Sequence, residues 1–327
     1  MGWSATGGFT DTELTSWQTL LRQRITQLVG GIHNVPAIDL KPVVLNTSNF
    51  AGYRREFVRM QSRPGLDLCG YMLIPNATGQ PLPAVVCLPG HGRGVDSIVG
   101  IAEDGSQRPL GSPAEYQMDF ALQCVEKGYA VFALEQISFG HRRDSQARAS
   151  GPGTSSCSRD STTALMLGDT MTGWRVWDTM RAIDYLQTRP EVDPSRIATM
   201  GISGGGLTSL FAACLDERVK CSIVSGYFNT FVDSVLSINH CVDNYIPGIL
   251  NVAEMPELTA LIAPRALFAE SGKTDHIFPL AAFHRAIEQA ESIYERFGVR
   301  ERLGWETFDA GHEFYGKGAF QFMERNL

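Results

Sequence analysis

Five short apolar runs constrain this chain more than any other feature: Ala84–Leu88, Ala130–Leu134, Ile197–Ile202, Cys221–Ser225 and Ala266–Glu270. A strand with one wet face alternates apolar and polar residues, whereas one covered on both faces reads as an unbroken apolar run. These runs are of the second kind, so something must cover both faces of the sheet they form. The stretches between and after them supply it, with helical patterns predicted over Pro113–Lys127, Ser161–Leu186, Gly204–Leu215, Leu280–Phe297 and Lys317–Arg325, and a further strand at Trp305–Phe308. Strand, loop and helix in repeated order make a mostly parallel, doubly wound α/β sheet with helices on both faces. Ahead of it, Thr12–Val29 carries a helical apolar stripe. Glu56–Gln61 and Leu68–Ile74 form a predicted hairpin around Ser62-Arg63-Pro64-Gly65.

The 327 residues allow one large domain or two ordinary ones. A single run of strands favours one domain over 51–327, preceded by an N-terminal helical extension over 1–50. No fixed-period repeat is present, which excludes solenoids and propellers. Two long irregular stretches remain, Ile137–Asp160 and Tyr227–Ala263. Ligands bind such sheets at the carboxyl ends of the strands. The second stretch is rich in aromatic and apolar residues, so 227–263 is expected to be a cap or pocket wall. A net charge of −7 without a block of Lys and Arg argues against nucleic acid as a partner. No apolar stretch is long enough to cross a membrane, and a homo-oligomer is left open. The seven cysteines show no paired metal spacing, mostly lie in apolar runs, and are expected to be reduced and buried. With a polar, Gly-rich start lacking an apolar leader core, they make a cytoplasmic location the expectation.

The sharpest motif is Gly201-Ile202-Ser203-Gly204-Gly205-Gly206, between the run ending at Ile202 and a helical stretch. A serine on a tight strand-to-helix turn needs glycines at its flanks, and the helix start aims free N–H groups at it. Serine needs a base, and the base needs an orienting acid. Two later strand ends supply them: Asp275 after Ala266–Glu270, with Glu270 and Asp309 as rival acids, and His312 after Trp305–Phe308. For the oxyanion, one donor is expected to be the N–H of Gly204. The other is expected from Pro89-Gly90-His91-Gly92-Arg93-Gly94, with Arg93 first and Gly92 next. That loop fails the dinucleotide-binding G-x-G-x-x-G pattern. Gly272-Lys273-Thr274 fails as a phosphate loop because Leu267 stands where a glycine is required. No cofactor or metal is called for. Residues on elements that could surround Ser203 are His91, Phe139, His141, Arg142, Trp174, Phe228, Phe231, His240 and Tyr245.

These motifs, with Gly65–Pro75, Arg175–Leu186, Glu191–Ile197 and Asp275-His276-Ile277-Phe278-Pro279, resemble the α/β-hydrolases of the dienelactone-hydrolase and acetyl-xylan-esterase-like branch from about Gly52 to Phe320. The resemblance implies a serine carboxylesterase acting on short-acyl esters of small molecules, with Ser203, Asp275 and His312 at the family's triad positions. Dienelactone hydrolases use cysteine as nucleophile, and the acetyl-xylan esterases usually carry glutamine where this chain has Gly204. Three alternatives stay open: a peptidase like the prolyl-oligopeptidase catalytic domains, a lactonase or C–C hydrolase, and a non-catalytic binding protein on the same fold.

Overall fold

The computed structural model describes residues 11–32, 35, 36, 38–76, 79–108 and 115–327. Helix α1 (Asp11–Val29) leads into β1 (Val43–Asn49), β2 (Tyr53–Arg63), β3 (Leu66–Pro75) and β4 (Leu82–Leu88). Then come α2 (Val95–Ile98), α3 (Phe120–Glu126), β5 (Ala130–Leu134), α4 (Ser145–Ala149), α5 (Cys157–Met166) and α6 (Met171–Gln187). The last third holds β6 (Val192–Ile202), α7 (Gly204–Leu215), β7 (Val219–Ser225), β8 (Ala266–Gly272), α8 (Leu280–Arg296), β9 (Leu303–Phe308) and α9 (Lys317–Asn326).

The nine strands form one sheet in the order β1-β2-β3-β5-β4-β6-β7-β8-β9. Antiparallel pairing joins β1, β2, β3 and β5, and parallel pairing runs from β5 through β4 to β9. Its central strands are buried on both sides, as their continuous apolar character requires. On β4, Ala84, Val86 and Leu88 join a core layer with α1, α6, α7 and α8, while Val85 and Cys87 join a second layer with α2, α3 and α9. Each large side chain so buried contributes about 1.5–3 kcal/mol. Helix α1 is tied to this body through Gln18 Nε2, which donates to the carbonyls of Ala260 and Ala263 at 2.6 and 3.1 Å.

The register decides where chemistry can sit. Ile202 pairs with Ser225, and Ser225 with Glu270, so three adjacent parallel strands end side by side. The next residues, Ser203, Gly226 and Ser271, open that end of the sheet.

Some elements differ from the sequence expectation. Strand β1 had no signal, because Val43-Val44-Leu45 and the polar residues after it form an edge whose side chains are mostly exposed and so do not alternate. The helix expected over Ser161–Leu186 is two, α5 and α6. Gly168 takes φ +83° between them, and the Thr170 hydroxyl caps α6 by accepting from the Gly173 N–H. The helix expected over Pro113–Lys127 is shortened to α3, because Met118 and Asp119 take positive φ of 53° and 49°; residues 113 and 114 lie outside those described. The 227–263 segment folds as short 3-10 turns, Val242–Asn244, Ile249–Asn251 and Met255–Leu261. Among the described residues, no helix is long and apolar enough to cross a membrane.

Candidate active site

Ser203 sits between β6 and α7 with φ 56° and ψ −122°, a backbone conformation that costs free energy for any residue with a Cβ. Its neighbours hold it there. The Ser203 N–H donates to Ser225 O at 3.0 Å, and the Leu207 N–H returns to Ser203 O at 2.9 Å. Gly201 and Gly205 are needed for a different reason: a Cβ on Gly201 would run into the Gly205 carbonyl, and one on Gly205 into Leu88 O. The strand and helix can approach this closely only without those side chains, and the close approach tightens the turn that raises Ser203 above the sheet.

His312 lies on the loop after β9, and its ring is held from three sides. Its Nδ1 is 2.7 Å from Asp275 Oδ2. Tyr116 and Phe278 each stack with the ring, their centroids 5.7 Å from that of His312 and their planes near-parallel to it. Asp275, buried after β8, has its other oxygen fixed by the N–H groups of Ile277 and Phe278 at 2.8 and 3.1 Å. Those two bonds aim Oδ2 at the imidazole. The rival acids have other partners. Glu270 accepts from the N–H groups of Tyr315 and Gly316 at 3.0 and 2.9 Å, and burial pushes its carboxyl up to about 7. Asp309 pairs with Lys273 Nζ at 2.7 Å, its side chain 89% exposed.

Ser203, Gly204 and His312 line one open cavity of about 340 Å³ with His91 and Tyr116. A strained serine, a histidine held by a buried carboxylate, and a helix start opening on the same space are the parts an acyl-transfer site requires. The model of the Abhydrolase family matches residues 4–297. The chain belongs to that family. It is 28% identical over 291 residues to YtaP of Bacillus subtilis, provisionally named a hydrolase, covering 86% of this chain and 89% of YtaP. Among solved structures it is similar to a Bacteroides fragilis protein provisionally described as an acetyl xylan esterase, with TM-score 0.77, 19% identity and 94% of this chain and 77% of that one covered. It is also similar to a glucuronoyl esterase from Solibacter usitatus, with TM-score 0.68, 18% identity, and 99% and 95% covered. The sheet is thus the α/β-hydrolase sheet, lengthened at one edge by β1.

Within this hydrolase the wall residues fall differently from the sequence expectation. His91 does face Ser203. Burial pushes its imidazole below its ordinary value, against the pull of Asp243. Arg93, on the same loop and expected to act through its backbone N–H, sends its guanidinium to Glu115 and to Ile101 O at 2.8 Å. Phe139 lies behind the wall, 4.5 Å from the His91 ring and 4.3 Å from the Arg175 guanidinium. Trp174 is not at the cavity. Its indole N–H donates to Asp169 Oδ2 at 2.8 Å, and Arg63 stacks over its ring. Phe228 is core, and Tyr245 lines a neighbouring apolar cavity of about 310 Å³ with Phe231 and Ile246. His141 pairs with Asp96, and Arg142 forms a 2.6 Å ion pair with buried Asp178.

His240 does line the cavity, and with it come residues the sequence did not mark: Tyr116, Ile238, Asn239, Cys241, Asn244 and Ile277. Except for Tyr116, which had none, their only signal was membership of the 227–263 segment or nearness to Asp275. Of the seven thiols expected to be buried, five are, while Cys69 is half-buried and Cys241, on the cavity wall, is exposed.

Proposed function

We propose that the chain is a serine carboxylesterase acting on small, short-acyl esters with a polar alcohol part. The observation that carries this is the 2.7 Å contact of His312 with Asp275 in a chain whose Ser203 shares the His312 cavity. Asp275 holds His312 with Nδ1 protonated, which leaves Nε2 to take the Ser203 proton as Oγ attacks the ester carbonyl. The tetrahedral oxyanion is stabilised by the Gly204 N–H at the start of α7. The second donor is the N–H of His91 rather than that of Arg93, because His91 lines the cavity beside Ser203. Each such donor is worth about 2.7–4 kcal/mol in the transition state. His312 then protonates the leaving alcohol. Water repeats the sequence on the acyl-enzyme, restoring Ser203.

Two further facts support the substrate class. The cavity wall mixes hydrogen-bonding groups, Asn239, His240 and Asn244, with the apolar Ile238 and Ile277, which suits an alcohol with hydroxyls over a small acyl group. The similar solved structures bear the names acetyl xylan esterase and glucuronoyl esterase, names that point to ester bonds of carbohydrates.

The test is a fluorophosphonate label and a chain-length series of p-nitrophenyl esters beside an acetylated sugar, a uronic-acid methyl ester, a lactone and a peptide. Acetyl esters should turn over fastest, and Ser203→Ala should lose label and on the order of 10⁶-fold in kcat. Labelling or turnover that survives Ser203→Ala would falsify the assignment, and preference for the peptide would make the chain a peptidase.

A further inference from the structure

Three side chains of metal-ligand type converge on the wall of the same cavity without taking part in the acyl transfer. His91, Cys241 and Asp243 each offer one donor atom, and all three atoms lie within 4.8 Å of one another. His91 comes from the loop after β4, and the other two from the 227–263 segment. The triangle is therefore made by tertiary structure and carries no spacing motif.

Each donor is in a condition that suits a ligand. His91 Nε2 is buried and makes no hydrogen bond to any described residue; Asp243 Oδ2 stands 3.5 Å away, too far for one. Asp243 is held rigidly: Arg175 Nη1 donates to Oδ2 at 2.6 Å and Asn244 Nδ2 to Oδ1 at 2.8 Å. A carboxylate has roughly four lone-pair sites, so Oδ2 keeps one toward His91. Arg175 and Asn244 are the outer partners that orient a ligating carboxylate. Cys241 is exposed and free. Ligand bonds of roughly 2.0–2.3 Å place tetrahedral donors about 3.3–3.8 Å apart, which side-chain adjustment of about an ångström reaches from the observed triangle.

We propose that His91 Nε2, Cys241 Sγ and Asp243 Oδ2 bind one divalent ion of the zinc class, with its fourth position open to the cavity. The mixed nitrogen, sulfur and oxygen set selects such an ion over magnesium or calcium, which take oxygen ligands. Binding is not a redox step: the thiol gives its proton to solvent, and the thiolate pair forms the bond to the metal. His91 and Cys241 line the cavity that holds Ser203, so the bound ion narrows the approach to the nucleophile and lowers turnover.

The full chain is titrated with Co²⁺ as a spectroscopic stand-in. A thiolate-to-cobalt charge-transfer band should grow and saturate at one ion per chain, and Zn²⁺ should bleach it. Cys241→Ser, an exposed substitution checked by circular dichroism, should abolish the band. His91→Gln should raise the Kd at least about tenfold, the least that even an outer partner costs when lost. Zn²⁺ in small excess should depress ester turnover in the native chain and leave Cys241→Ser at its own metal-free rate. No band at millimolar Co²⁺, a band that persists in Cys241→Ser, saturation at half an ion per chain, or equal inhibition of both proteins would each overturn the proposal.

Discussion

Glu270 on the last turn of β8 and Asp275 on the loop just after it are both buried carboxylates facing the His312 loop, yet they meet it in different ways. Asp275 presents one oxygen to the imidazole and secures the other with two backbone N–H groups. Glu270 instead accepts from main chain of that loop, the N–H groups of Tyr315 and Gly316. In the proposed mechanism one carboxylate therefore orients the proton carrier, while the other holds main chain of the loop that carries it. A chain position at a strand end does not distinguish them; the group at the far end of the hydrogen bond does.

Among the three acids, the largest effect should follow from Asp275→Asn. Asparagine can keep the oxygen that Ile277 and Phe278 bind, so the fold should survive and Tm should change little. Its amide nitrogen would then face His312 Nδ1 and favour the tautomer with the proton on the wrong nitrogen. A loss on the order of 10⁴-fold in kcat is expected, measured with p-nitrophenyl acetate. A loss of tenfold or less would move the orienting role elsewhere.

Glu270→Gln should do the reverse, with a modest change in kcat and a clear one in stability. Tyr315 and Gly316 donate to different oxygens of Glu270, so an amide NH₂ must face one of two donors. Leaving that buried donor unpaired costs about 1–3 kcal/mol, seen as a lower Tm. If Glu270→Gln instead matched Asp275→Asn in kcat, the two carboxylates would have been assigned the wrong way round.

The same burial makes a smaller, pH-dependent effect. Glu270 and Glu135, both fully buried and raised by desolvation, titrate at about 7 in the folded chain against an ordinary value of 4.5. Between those values the folded state binds more protons than the unfolded one, so stability is greatest below 4.5 and declines as the pH climbs to about 7. Tm should therefore fall from pH 5 to pH 7.5, and Glu270→Gln should remove part of that slope, leaving the part from Glu135. A slope unchanged in the variant would show that Glu270 ionises normally.

The frame of the site is legible in the sequence because strand ends in a parallel sheet are ordered by chain order and register. Ser203 needs its flanking glycines, Asp275 follows the buried apolar run of β8, and His312 follows the last strand, β9, at the half-exposed edge of the sheet. The wall of the cavity is another matter. Trp174 and Tyr245 are aromatic residues of the kind that line pockets, yet Trp174 is drawn to Asp169 and Tyr245 to a separate cavity. Tyr116, by contrast, lies just before a backbone kink at Met118 and Asp119 that no residue pattern announces. Its hydroxyl donates to His91 O at 2.6 Å, which joins the loop after β4 to the ring beside His312. Local pattern reports burial and period; which of many buried or half-buried side chains face one cavity is decided by tertiary packing.

Asp309 closes the comparison from the exposed side. It follows β9 as Asp275 follows β8, and it lies three residues before His312. Proximity along the chain thus puts this acid close to the base. Yet its side chain points to solvent and to Lys273, where water screens the pair and its contribution is small. Asp309→Asn should therefore leave kcat and Tm within error of the native chain at ordinary salt, and Lys273→Ala should do the same. A drop in kcat comparable to that of Asp275→Asn would mean that the His312 loop swings toward Asp309 during turnover. That outcome can be separated from simple loss of charge, because a moving loop would also make kcat sensitive to Glu270→Gln, which loosens the clamp by leaving one of Tyr315 and Gly316 unpaired.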